Sequence, residues 1–207
     1  MIGIPNEIIQ KYKSIFKAAG LKLTALEMDG LAIVINLLAG ENNATILTDL
    51  GSETTNIFVA ADGKIFYSGQ TDYGGIYLTQ AIAHSLGISN MRAEELKRRH
   101  GLSTEGAESE LSTLTEPFLD VIIQEVNHAK STFELRYRRK IERMILLGGG
   151  ANLLGIEKRF SEQTGLVVAR PNVFRKIGYD QKLEPILRQL NNELPVAIGL
   201  AQRYFIQ

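Results

Sequence analysis

The chain has 207 residues, 44% hydrophobic and 22% charged, enough for one or two globular domains with a substantial core. Lys plus Arg and Asp plus Glu both number 23, and this balance argues against general affinity for nucleic acid or acidic membranes. Cysteine is absent, which excludes disulfides and thiolate metal sites. The longest apolar run, over 31–40, is broken by Asn36 and is too short for a membrane span. Residues 1–4 lack a charged or apolar leader, so a cytoplasmic location is expected.

Pro5 suits the first turn of a helix over 6–19, where Ile8, Ile9, Tyr12, Ile15 and Phe16 recur at helical spacing. Gly20 ends it. Residues 21–28 alternate like a strand, and an almost wholly apolar helix follows to Leu38. Three strands are predicted over 45–50, 54–61 and 64–70. Asp62-Gly63 between the last two is a tight-hairpin signal, so the three form an antiparallel meander. Gly74-Gly75 opens a helix to Leu86, which Gly87 closes. A short charged helix over 92–100 and a loop over 101–106 come next. A long helix over 109–138 contains Pro117, which is expected to kink or split it. Residues 144–147 form a short apolar run before Gly148-Gly149-Gly150, as in a buried parallel strand. A helix over 154–164, a strand over 166–169, a loop with a short helix over 171–192 and a final helix after Pro195 complete the chain. The order predicts a mixed five-stranded sheet, three strands antiparallel and two parallel, flanked by helices.

Two glycine-bearing bends carry the chemistry. At the first, an apolar strand runs into Asp49, followed by Gly51, Ser52, Glu53, Thr54 and Thr55. Glycine tolerates positive φ, so backbone N–H groups there can converge on an anion, with the Ser52, Thr54 and Thr55 hydroxyls beside them. Asp49 is placed to orient Mg²⁺ directly or through water. At the second bend, Gly148, Gly149 and Gly150 let a base or phosphate approach the backbone. Gly74 and Gly75 stand at a helix start, where an anion or a plain helix entry would both fit. Glu94 and Lys97 share a helix face, in the manner of an ordinary ion pair. The basic run over 136–140 reads as a helix C-terminus rather than a nucleic-acid site. His84, His100 and His128 have no metal-ligand spacing, and no catalytic triad is evident.

In order and spacing these features resemble the second half of the actin-like ATPase fold (ribonuclease H-like), shared by actin, DnaK-type chaperones, the cell-division protein FtsA and sugar kinases. The carriers are Ala19-Gly20-Leu21, the hairpin from Asp49 to Thr55, Gly74-Gly75, the E-x-x-K pair Glu94 and Lys97, and Leu147-Gly148-Gly149-Gly150-Ala151. Within that superfamily the chain resembles the PilM family of type IV pilus assembly through Gly74-Gly75-x-x-Leu78-Thr79, Leu86-Gly87-Ile88-Ser89, Ala93-Glu94-Glu95-Leu96-Lys97 and Leu146 to Leu153. Ser68-Gly69 departs from it, since relatives usually place an Arg just before the paired glycines.

The resemblance implies a division at 43/44. Residues 1–43 would be a remnant of an N-terminal lobe, and 44–207 a C-terminal nucleotide-binding lobe with a helical insertion at about 88–142. Members begin with a further phosphate hairpin and a small subdomain, so the chain is expected to be the C-terminal portion of a longer protein. The resemblance also implies ATP and Mg²⁺ as cofactors. Asp49, Gly51, Ser52, Thr54, Thr55, Gly74 and Gly75 would serve phosphate and metal; Glu94, Lys97, Gly148, Gly149 and Gly150 would serve adenosine. It implies a partner, the cytoplasmic peptide of PilN, and through it peripheral attachment to the inner-membrane pilus platform. Self-association through a face exposed by the missing lobe is a further expectation. Little PilN binding and negligible hydrolysis are expected of this chain alone. The competing assignments are an FtsA-like division scaffold, a sugar or acetate kinase lobe, and a nucleotide-free structural module.

Overall fold

Three consecutive strands form the expected meander: β1 (Thr45–Leu50), β2 (Thr55–Ala61) and β3 (Lys64–Thr71). The computed structural model describes residues 4–102, 109–203 and 205, so most of the loop expected over 101–106 lies outside the described residues. Asp62 (φ 51°) and Gly63 (φ 70°) both adopt left-handed backbone, which matches a two-residue turn to the twist of the flanking strands. β4 (Arg143–Leu147) lies parallel to β1, and β5 (Val167–Ala169) parallel to β4. The sheet order is β3-β2-β1-β4-β5, the mixed five-stranded sheet that the element order implied.

Alternation along β1 sends side chains to two different cores. Ile46 and Leu50 face one side, packed with Ile57, Val59, Met144 and Leu146. Three helices cover that side: α3 (Gly75–Leu86), the long α5 (Ser109–Tyr137) and α6 (Ile156–Thr164). α4 (Asn90–His100) packs on α3. Leu47, Phe58, Ala60, Ile145 and Leu147 face the other side, where α2 (Asp29–Leu37) and α8 (Pro195–Arg203) lie. α5 runs through Pro117 as a single helix. Phe118, Leu119, Ile122, Ile123 and Val126 are all buried on the sheet just after it, and this packing outweighs the lost backbone donor.

Residues 21–28 form no strand, contrary to the alternation read there. A strand needs a neighbour to receive its amides, and no ladder partner stands beside this stretch among the described residues. α1 (Asn6–Ala18) buries no residue at all, and Ile8, Tyr12 and Ile15 stand exposed on it. α2 is different. Ile33, Val34 and Leu37 are buried in the sheet's second core. α1 thus contributes no residue to either core, whereas α2 belongs to the second.

α8 reaches α2 at closer range than side chains normally permit. A Cβ on Gly199 would penetrate the Ala32 carbonyl. Around this contact, Asn36 donates to the Val173 carbonyl at 3.0 Å and to Gln202 at 3.1 Å. Gly199→Ala is expected to force the two helices apart and destabilise the fold by roughly 1–3 kcal/mol, the usual range for overpacking. Thermal unfolding would show it, and an unchanged midpoint would contradict the close approach.

Candidate functional site

Parallel pairing sets Asp49 opposite Leu147, so the two glycine-bearing bends leave the sheet side by side at the carboxyl ends of β1 and β4. In open α/β sheets that end is where ligands bind. Between the bends, α3's first turn and α4 lies a cleft of about 930 Å³. Of the residues singled out from sequence, Gly51, Ser52, Thr55, Gly75, Glu94, Lys97, Gly148, Gly149 and Gly150 line it. Asp49, Thr54 and Gly74 stand outside the lining.

The hairpin differs in detail from its sequence reading. Gly51 is not in the left-handed region, so positive φ is not why glycine stands there. It is needed for space: a Cβ would sit 2.8 Å from the Thr54 carbonyl, which accepts the Gly51 N–H at 3.0 Å. The first amides of α3 are also engaged. Gly75 N–H donates to the Gly51 carbonyl at 3.0 Å and Ile76 N–H to the Ser52 carbonyl at 2.8 Å. Gly74 lets the backbones meet, since a Cβ there would overlap the Ser52 and Glu53 backbone. The paired glycines thus weld α3 to the hairpin. Thr55 Oγ1 donates to the Tyr73 carbonyl at 2.7 Å, which strengthens the same joint. The exposed Ser52 hydroxyl has no hydrogen-bond partner among the described residues and opens onto the cleft.

The second bend has three glycines for three reasons. Gly148 is left-handed (φ 76°), and a Cβ would stand 2.5 Å from both Asp49 Oδ1 and the Leu50 carbonyl. Gly150 passes so close to Leu50 that a Cβ would lie 2.7 Å from the Leu50 Cβ. Gly149 has nothing within 4 Å. It is the one position of the three where bare backbone faces open space.

Glu94 and Lys97 are packed into a clasp. Lys97 Nζ donates to the Gly75 carbonyl at 3.0 Å and to Thr79 Oγ1 at 2.8 Å, and pairs with Glu94 Oε2 at 2.6 Å. Thr79 Oγ1 lies 2.5 Å from the same carboxylate oxygen, and Arg98 Nε bonds the other at 2.7 Å. Burial opposes the charge on Glu94. Hydrogen bonds from Lys97, Thr79 and Arg98, with the Lys97 charge, outweigh it and hold the carboxyl at about 2. All three ammonium protons of Lys97 have protein acceptors, so the pair ties α4 to α3 whether or not anything is bound.

Asp49 projects to the α2 side of the sheet. Burial, and then the Asp29 carboxylate at the start of α2, push its carboxyl up to about 6. Two carboxylates held near each other with one of them desolvated suit a divalent cation. Mg²⁺ commonly takes one or two protein carboxylates, with phosphates and water completing its shell. Among the described residues no group of three or more acidic or His side chains could hold a metal unaided. The sequence does not single out Asp29, since nothing local pairs it with a residue twenty positions on. Thr79, Asn152 and Asn192 were also missed. Thr79 had a signal, its place one helical turn after Gly75.

The family model for the type IV pilus assembly protein PilM matches residues 5–205. The chain belongs to the PilM family. A solved PilM–PilN type IV pilus biogenesis complex superposes with a TM-score of 0.81 at 23% identity, over 96% of this chain and 58% of that one. MreB5 of Spiroplasma citri bound to ADP superposes with a TM-score of 0.70 at 16% identity, over 99% of this chain and 67% of that one. The ethanolamine utilization protein EutJ of Escherichia coli (strain K12) is 32% identical over 88 residues, covering 42% of this chain and 31% of its own length. This PilM-family chain therefore has the actin-like fold, and it spans less than two thirds of the length of the PilM and EutJ proteins it matches.

Gly148→Ala is expected to destabilise the fold by roughly 1–3 kcal/mol through strain and overlap, and Gly149→Ala by less than about 0.5 kcal/mol. Chemical denaturation compares them, and equal losses would refute the division of roles. Asp49 titrates near 6 when folded against an ordinary 3.8, so its charge opposes folding. The opposition is absent below 3.8, grows between 3.8 and 6 and is complete above 6. Asp49→Asn should accordingly stabilise the free protein by up to roughly 3 kcal/mol at pH 8 and by almost nothing near pH 3.5. A pH-independent difference in melting temperature would rule this out.

Proposed function

We propose that this chain forms one wall of an ATP site in a PilM-like actin-fold protein of type IV pilus assembly. The observation that carries the proposal is the open backbone at Gly149, set in the same cleft as the free Ser52 hydroxyl. In this reading Gly149, flanked by Gly148 and Gly150, receives the adenosine. The hairpin of Gly51, Ser52, Thr54 and Thr55, braced by Gly74 and Gly75, faces the phosphates. Glu94 and Lys97 hold the adenosine wall in place, and Asp49 with Asp29 orients Mg²⁺. Bound Mg²⁺ would neutralise phosphate charge. The protein's part is to keep the two bends at fixed separation and to present the Asp49 carboxylate in its charged form above about pH 6. The ADP in the solved MreB5 supports nucleotide as the ligand class.

Coupling to PilN is part of the same proposal, on the strength of the PilM–PilN complex that this chain resembles. A protein of this kind would work in the cytoplasm and reach the inner-membrane platform through PilN. No helix among the described residues is long and apolar enough to cross a membrane. The exposed apolar side of α1 supports reading it, with residues 19–28, as part of a second lobe that completes the cleft. Phosphoryl transfer needs phosphate and water held from both sides. This chain alone should therefore bind Mg-ATP weakly, turn it over negligibly and hold the PilN peptide poorly.

Calorimetric titration with Mg-ATP tests the reading. Binding is expected at pH 7.5, lost in Gly149→Ala and weakened toward pH 5.5, because Asp49 is then protonated and must release its proton to meet the metal. No heat and no shift in melting temperature at millimolar Mg-ATP would end the nucleotide assignment. Ordinary ATPase turnover or tight PilN-peptide binding by this chain would instead refute the two-wall argument.

A further inference from the structure

The left-handed turn at Gly148 is held by a segment remote in sequence. Gly148 N–H donates to the Asn192 carbonyl at 2.7 Å, and Asn192 Nδ2 donates to Asn152 Oδ1 at 2.7 Å. Asn192 thus grips both ends of the short 3-10 turn Gly149–Asn152, one with its backbone and one with its side chain. It is nearly buried, 6% exposed, and stands outside the cleft lining, whereas Asn152 and Glu193 line it. Its neighbour Asn191 is anchored in turn. Asn191 Oδ1 accepts from Val173 N–H at 3.0 Å, and its amide donates to the Pro171 carbonyl. The segment is therefore fixed to the loop after β5 before it touches the glycine turn. Directly after it, Pro195 begins α8, the helix that packs against α2.

We propose that Asn192 is a positioning residue for the glycine turn. Its carbonyl occupies the Gly148 amide and its side-chain amide fixes Asn152, so Gly149 keeps its backbone open to the cleft. The consequence for ligand affinity rests on the nucleotide reading above; the strut itself does not. A filler of space and a hydrogen-bonding strut are separable by choice of variant. Asn192→Leu keeps the volume and removes the donor. Asn192→Asp keeps the shape and retains a bond, because the Asn152 amide can turn to donate to it.

Amide hydrogen exchange on the full chain, without ligand, is the first measurement. In Asn192→Leu the Ala151 and Leu153 amides, which close the turn onto the Gly148 and Gly150 carbonyls, should exchange roughly tenfold faster or more. Gly148, held by the main-chain carbonyl of residue 192 that leucine retains, and Thr48 and Leu146 in the adjoining strands should keep their protection. Asn192→Asp should restore Ala151 and Leu153 to near the wild-type rate. Asn152→Ala should reproduce the Asn192→Leu pattern, and the double variant should be no worse than either single one. Unchanged Ala151 and Leu153 exchange in Asn192→Leu overturns the strut, and so does uniform loss across the sheet without rescue by Asn192→Asp. The second measurement is Mg-ATP affinity, expected to fall roughly fivefold in Asn192→Leu and to recover in Asn192→Asp, the worth of about one hydrogen bond. Unchanged affinity beside altered Ala151 and Leu153 amides would overturn the link to ligand binding. Absence of Mg-ATP binding by the wild type would reject the nucleotide reading, and the exchange data would still decide the strut.

Discussion

The parallel pairing of β1 with β4 is the constraint on which the rest of this structure depends. The register that sets Asp49 beside Leu147 brings residues almost a hundred positions apart to one end of the sheet. Slipping it by one residue would turn Asp49 toward the wrong core and carry Leu50 out of the other. The pairing is strongly specified because both faces of β1 are buried, with Ile46 and Leu50 on one side and Leu47 on the other. A site built on such strands inherits their precision. The cleft walls cannot drift apart without opening the hydrophobic sheet itself.

Around that pairing, polar groups that look free in the sequence are largely used in construction. The first amides of α3 close onto the hairpin carbonyls, the Thr55 hydroxyl ties β2 to Tyr73, and Lys97 spends its protons on Gly75, Thr79 and Glu94. The Ser52 hydroxyl and the backbone at Gly149 stay open to the cleft. Most of the cleft wall is thus fixed by the protein's own hydrogen bonds. Asp49 is the exception to this satisfied arrangement. It is desolvated beside a second carboxylate and carries a standing electrostatic cost in the free protein. Costs of that kind concentrate where a charged ligand is expected.

The two ends of the chain are treated differently by the sheet. α2 and α8 interlock at Gly199 and share a core with β1 and β4, whereas α1 lies outside with its apolar side bare. α1 is thus set apart from the two cores that the sheet separates, and the chain covers 58% of the PilM structure it resembles.

Much of this was legible in the sequence. Asp62-Gly63 specified its turn because few residue pairs tolerate two left-handed conformations, and the buried runs over 45–50 and 144–147 marked their strands. The order of the glycine motifs pointed to the family. Other features could not be read locally. Residues 21–28 alternate like a strand but have no ladder partner here, and α5 continues through Pro117 because the sheet beneath it buries the residues that follow. The separate reasons for Gly51, Gly148, Gly149 and Gly150 are set by neighbours distant along the chain. So are the Asp29–Asp49 encounter and the Asn192 strut. Sequence by itself determined the five strands of the sheet, most of the helices and the tight turn between β2 and β3, because periodicity and backbone conformational preference act within a few residues. Only the tertiary structure decided which glycine faces open space, which carboxylate loses its water and which amides remain unclaimed. Desolvation and close approach depend on what the fold brings near, and no local pattern records that.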